Sequence, residues 1–245
     1  MLFWNSDSLD TACGEYLGLL AHAGVLFRSG LGLFLQDRPD EFQGRLSELR
    51  AIERQAAVLQ RGLAERLRRH GRWTRANRAF APSLEYTATA LHLMTALLRK
   101  YAVEQPEPVL DGNAALMEVA ECAKRTVDAM TVALRAQQAR ASNASTLGVV
   151  VQQAAEETRE AGERYKRMIF RLDLRLSHKN QLGDFADAIE AIADAALAAS
   201  DRAITPRSGD VVSFGGWVFR RGAAGWLVLS AFAIIASAML TLTSG

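Results

Sequence analysis

The sequence predicts an all-α protein, and three observations carry that expectation. The chain holds only five prolines and is dominated by Ala, Leu, Arg and Glu, which favour helix over strand. Its aromatic content is 7%, and no run alternates apolar and polar residues at period two for long. Apolar residues instead recur at steps of three and four through most of its length, which keeps one side of a helix dry. At 49% hydrophobic and 23% charged, the 245 residues can build a real core in one or two domains.

Breakers and caps divide the first 204 residues into six predicted helices. Asp7, Ser8 or Asp10 can cap a first helix running to about Gln36. Its stretches Tyr16–Phe27 and Leu31–Leu35 are apolar. Glu15, His22 and Arg28 interrupt them, and charges at such depth are expensive in lipid, so the segment reads as a buried amphipathic helix. After the turn at 37–40 (DRPD), a second helix runs from Pro39 to about His70. Phe42, Leu46, Leu49, Ile52, Ala56, Leu59, Leu63 and Leu67 form its stripe. Residues 71–82 are expected to be irregular, with Ser83 capping a third helix that ends near Glu104. The two prolines of QPEP (105–108) then stop the chain.

A fourth helix is expected from Asp111 or Asn113 to about Ala141, a fifth over 146–176 and a sixth from Gln181 to Ala203, after a loop at 177–180. A long hairpin followed by a shorter third helix, twice over, suggests two three-helix repeats at 1–108 and 109–204. Pro206, Gly209, Gly215 and Gly216 mark 205–221 as a linker.

Residues 222–245 carry no charge, and Ala223–Thr243 is almost entirely apolar or small. A helix needs roughly 20 such residues to cross the hydrocarbon core, so this segment is expected to be a transmembrane tail anchor. Arg220 and Arg221 precede it and no charge follows, which puts the preceding 220 residues on the cytoplasmic side of the inner (plasma) membrane as a single-pass protein. Trp217 and Trp226 bracket the entry point as interfacial residues do. Ser230, Ala233, Ser237, Thr241 and Ser244 fall on one small-residue stripe that could pack against a partner helix or a second copy.

Charge is unevenly spread. Between Arg61 and Arg78 there are seven Arg (61, 66, 68, 69, 72, 75 and 78) and one Glu, Glu65. This block suits a solvated helix end or anionic lipid headgroups. It does not suit nucleic acid, because only Trp73 and Phe80 interleave and no reading motif is present. Between Gly183 and Asp201 there are five acids and no base. On the sixth helix Asp187, Glu190, Asp194 and Asp201 fall within roughly 60° of one another, opposite the stripe Phe185, Ile189, Ile192, Ala196 and Ala199. A solvated face explains such a pattern. Against it, like charges at i,i+4 repel, and no Lys or Arg is interleaved among them to relieve this. Concentrated carboxylates are what a hard or borderline cation needs.

Catalysis finds little support, and the chain is expected not to be an enzyme. His22, His70, His92 and His178 are scattered, none has Glu at −3, and no phosphate-loop or nucleophile-elbow motif occurs. Cys13 and Cys122 lie far apart and read as buried small hydrophobes rather than a disulfide.

Three segments carry a family resemblance: IEAIADAALAASD (189–201), LSELRAIERQAAVLQRGLAERL (46–67) and EAGERYKRMIF (160–170). Together they make residues 10–203 resemble the PhoU-like family, and more closely its branch of accessory proteins for Pit-type phosphate transporters. In that resemblance Glu190xxxAsp194 matches an ExxxD motif, and Glu53 matches the glutamate of the first acidic motif. It implies a six-helix bundle of two repeats that docks on a membrane transporter for inorganic phosphate. It also implies iron, zinc or magnesium at an acidic face made of Asp187, Glu190 and Asp194 with Glu160 or Glu163. The sequence departs from the family at Ala57, where an Asp is expected, and at Gly162, near an expected acid. On the third helix Tyr86, Thr89 and Leu93 take the places of Asp187, Glu190 and Asp194. The first-half site is therefore lost. An alternative stays open: a structural subunit of a membrane complex that keeps the fold, has lost metal binding and has no link to phosphate.

Overall fold

The computed structural model describes the backbone of residues 6–69 and 75–204, and side chains within 9–66 and 80–203. Its six helices are α1 (Ser6–Leu35), α2 (Pro39–Arg69), α3 (Arg75–Glu104), α4 (Leu110–Gln138), α5 (Ala144–Arg171) and α6 (Leu176–Ile204), and no strand occurs among the described residues. The turns fall where the breakers put them. Asp37, at φ 55, turns the chain ahead of Pro39, and Gln105, at φ 43, ends α3 before the prolines. The expected linker 205–221 and anchor 222–245 lie outside the described residues, as do Trp217, Arg220, Arg221, Trp226, Ser230, Ala233, Ser237, Thr241 and Ser244.

Three boundaries differ from expectation. Helix α5 ends at Arg171 rather than near 176. Helix α3 begins at Arg75 and runs through Pro82, so 75–82 is helical rather than irregular and Ser83 is not its cap. The Ser83 hydroxyl donates to the Phe80 carbonyl one turn back, at 2.6 Å. Phe80 and Leu84 are both buried, so the apolar stripe continues across the proline. Their burial offsets the roughly 3 kcal/mol that an interior proline costs a helix. Helix α6 starts at Leu176 rather than Gln181, because 177–180 joins the helix and is tied down by its side chains. His178 Nε2 sits 3.1 Å from the Glu107 carbonyl, and Lys179 Nζ donates to the Phe170 carbonyl at 3.0 Å. The third helix of each half is therefore nearly as long as the other two, with 30 residues in α3 and 29 in α6.

Helix α2 packs on α1 and α3, and α5 packs on α4 and α6. The halves meet chiefly through α1 on α4 and α3 on α6, which leaves α2 and α5 outermost. Helix α1 lies against α2, α3 and α4, with Tyr16, Leu17, Leu20, Ala23 and Leu31 fully buried. Its Leu9–Leu35 stretch is the one segment among the described residues long and apolar enough to cross a membrane. Arg28, which interrupts that stretch, is ion-paired with Glu121 of α4 at 2.9 Å.

Two glycines in the exposed side of α2, Gly44 and Gly62, have no atom within 4 Å of where a Cβ would sit. Helix propensity then acts alone. Gly44→Ala and Gly62→Ala should each raise the melting temperature by about 2–4 °C, for about 1 kcal/mol gained. Thermal denaturation followed by circular dichroism checks this.

Candidate functional site

The acidic stripe of α6 meets α5, and the meeting is a set of cross-helix ion pairs. Lys166 stands between two of the carboxylates. Its Nζ donates to Asp187 Oδ1 at 2.7 Å and lies 2.9 Å from Glu190 Oε1. The second contact is within ion-pair distance but off hydrogen-bond alignment, so Glu190 Oε1, a buried atom, has no well-aligned donor. One turn further along α6, Arg159 donates from Nη2 (2.7 Å) and Nε (3.2 Å) to Asp194 Oδ1. It also donates from Nη1 to Glu156 at 2.9 Å.

Gly162 explains how Glu190 fits. A methyl group at that position would overlap the Glu190 carboxylate, so the acid lies directly on the α5 backbone where a side chain is missing. The Glu190 side chain is only 17% exposed, against 60% for Asp187 and 55% for Asp194. Burial raises the Glu190 carboxyl above the usual range, Lys166 opposes the shift, and Asp187 and Asp194 add to it. For Lys166, burial lowers the ammonium, and the attraction of Asp187 and Glu190 more than reverses this, leaving it above the usual lysine range. The bond to Asp194 raises Arg159 as well.

The structure thus brings Asp187 and Glu190 together around one ammonium and places Asp194 beside them on its own guanidinium. It does not bring in Glu160 or Glu163. Glu160 lies 3.9 Å from Arg164, and Glu163 lies 3.7 Å from Arg167, both on exposed parts of α5. Asp201 is exposed at the far end of α6, and partial desolvation there raises its carboxyl. No group of three or more His, Cys, Asp or Glu among the described residues is arranged to hold a metal ion. This donor set does not fit a resident iron, zinc or magnesium, since its principal acids already have cationic partners from α5. Lys166, Arg159 and the space at Gly162 are what single-helix reasoning missed.

The first half has a related cross-helix pair. Glu53 of α2, the glutamate singled out in the sequence, lies 3.0 Å from His92 Nδ1 of α3. Of the basic block, Arg66 is half-buried, while Arg68, Arg69, Arg75 and Arg78 sit in the terminal turns of α2 and α3; Arg72 lies outside the described residues.

The sequence matches no protein-family model and no curated protein. The fold has solved counterparts. A protein from Shewanella oneidensis MR-1 described as a PhoU-like phosphate regulatory protein superposes with a TM-score of 0.69 at 11% identity, over 79% of this chain and 96% of that one. A PhoU-like protein from the same organism superposes with a TM-score of 0.72 at 11% identity, over the same shares. At that identity the likeness is one of architecture, and the chain has the all-α, six-helix fold of PhoU-like proteins.

Proposed function

We propose that this protein is a regulatory or accessory subunit that docks on a membrane transporter, with inorganic phosphate as the transported ion. The observation that supports this most is the PhoU-like fold, found in a neighbour described as a phosphate regulatory protein and spanning 79% of this chain. The uncharged stretch 222–245, preceded by Arg220 and Arg221, supports attachment to the inner membrane with the bundle on the cytoplasmic side. Such a tether holds the bundle at high local concentration beside an integral membrane partner.

A second reading, a structural subunit of a membrane complex without metal or phosphate, is favoured by the charge pairing of the acidic face. Lys166 and Arg159 neutralise the carboxylates that a metal switch would need. One experiment separates the two. The full-length protein is purified in mild detergent and its companions identified by mass spectrometry. A phosphate transporter in near-equal amount is the expected result. Another membrane complex in its place would establish the second reading, and recovery of this chain alone would remove transporter docking.

A further inference from the structure

Helices that alternate in direction collect their ends at two poles, and in this bundle the poles differ in charge. At one pole Gln60 Nε2, near the end of α2, donates to the Leu84 carbonyl near the start of α3, at 3.0 Å. The Arg202 guanidinium, in the last turn of α6, lies 5.8 Å from the Tyr86 ring centre. Gln138, at the end of α4, and Arg66, near the end of α2, both lie close enough to Cys13 near the start of α1 to act on its thiol. The start of α1, the end of α2, the start of α3 and the ends of α4 and α6 therefore share this pole.

Arginine dominates it. Arg66, Arg68 and Arg69 end α2, Arg75 and Arg78 open α3, and Arg140 is exposed in the α4–α5 turn. Asp7, Asp10, Glu65, Glu85 and Asp201 are fewer than these arginines together with Arg202. The opposite pole exposes Leu110, Phe170 and Leu176, and its groove is mixed in charge, with Glu104, Glu107, Asp173 and Asp184 beside Lys100 and Arg175, so it lacks the arginine excess that an anionic surface attracts.

The chain beyond Ile204 decides which surface meets the arginines. It runs from 205 to 245, and its uncharged stretch begins at 222. Fully extended, 205–221 reaches about 58 Å, enough to round the bundle. Helix α6 ends at the arginine pole, the pole whose charge an anionic surface attracts.

We propose that the arginine pole rests on the anionic headgroups of the bilayer, with the α3–α4 and α5–α6 turns facing away from it. This rests on the reading of 222–245 as a membrane span. Each base close to an anionic leaflet strengthens the attachment about fivefold, so the contact is a salt-sensitive latch added to the anchor.

The test uses the full-length protein with a polarity-sensitive fluorophore at Ser142→Cys, in the α4–α5 turn, or at Ser177→Cys, in the first turn of α6. Both serines are exposed, whereas Cys13 and Cys122 are buried, so the label goes to the introduced thiol. The protein is reconstituted into phosphatidylcholine vesicles with or without phosphatidylserine that carry a headgroup quencher. Flotation in high salt reports the anchor by itself. The expected result is flotation with both vesicle types, and quenching at position 142 severalfold stronger in anionic vesicles and reversed by salt. Position 177 should not respond. Arg68→Glu with Arg69→Glu should bring position 142 to its neutral-vesicle level. If that variant fails to fold, the comparison of anionic with neutral vesicles decides alone. Flotation with equal quenching at both positions, or with position 177 the one quenched, overturns the proposal and leaves the anchor standing. Failure to float overturns the anchor and the proposal together.

Discussion

Phe185→Ala is expected to lower the melting temperature by about 6–20 °C, from a loss of about 3–5 kcal/mol. Phe185 is fully buried in α6, and its ring stacks on Tyr101 of α3 with centres 4.0 Å apart and planes 24° from parallel. Tyr101 in turn meets Phe34 of α1 at 4.9 Å, and Phe34 meets Phe42 of α2 at 5.5 Å. This aromatic row ties α6 of the second half to all three helices of the first. Removing its end leaves a cavity on the seam between the halves, so the whole bundle should lose stability in one cooperative step. Thermal unfolding by calorimetry tests this, and a second, separate transition would show that the halves melt independently. Tyr101→Phe makes the complementary comparison. The Tyr101 hydroxyl is buried without a hydrogen-bond partner, and burial pushes its pKa well up. Deleting that oxygen should stabilise the protein by about 1 kcal/mol, and a loss instead would mean that the hydroxyl has a partner, such as a water.

Lys166→Met is expected to cost about 2 kcal/mol at pH 7 and distinctly less at pH 4. Methionine keeps most of the apolar stem and its packing, so the change acts mainly on the charge. Without the ammonium, Glu190 stays in its recess at Gly162 and its carboxyl rises further. The folded variant then retains a proton that the unfolded chain releases near pH 4.3. More protons on the folded form means that stability falls as pH rises, from the unfolded glutamate value up through the raised folded one. The natural protein behaves differently at the alkaline end. Its Lys166 is raised, so that stabilisation is complete below the ordinary lysine value and is lost only as pH climbs through the raised one. Urea denaturation at pH 4 and pH 7 checks the variant, and an equal loss at both would remove the electrostatic explanation.

The element order was legible because its punctuation is local. Asp37 to Asp40 and QPEP each stop a helix by means that need no tertiary contact. Pro82 was misread for the same reason: a local penalty was weighed without the burial of Phe80 and Leu84 that exceeds it. The acidic face of α6 was legible from its period alone. Its partners were not, since Lys166 lies 21 residues from Asp187, and Arg159 lies 35 from Asp194. Periodicity assigns each residue to a face of its own helix. It does not give the rotation of α5 against α6 that aims those faces at each other. Gly162 stood out in the sequence only as a missing acid. That its empty side seats Glu190 is a fact of packing.

The burial of α1 has a consequence for synthesis. Part of its cover is α4, which ends at Gln138, about a hundred residues after α1 is complete. At translation rates of about 5–20 residues per second, that helix waits roughly 5–20 s for its last partner. During that interval a segment with the length and apolarity of a membrane span is only partly covered by α2 and α3. Glu15, His22 and Arg28 then do their work before the fold exists, making the nascent helix a poor substrate for insertion until the bundle closes over it.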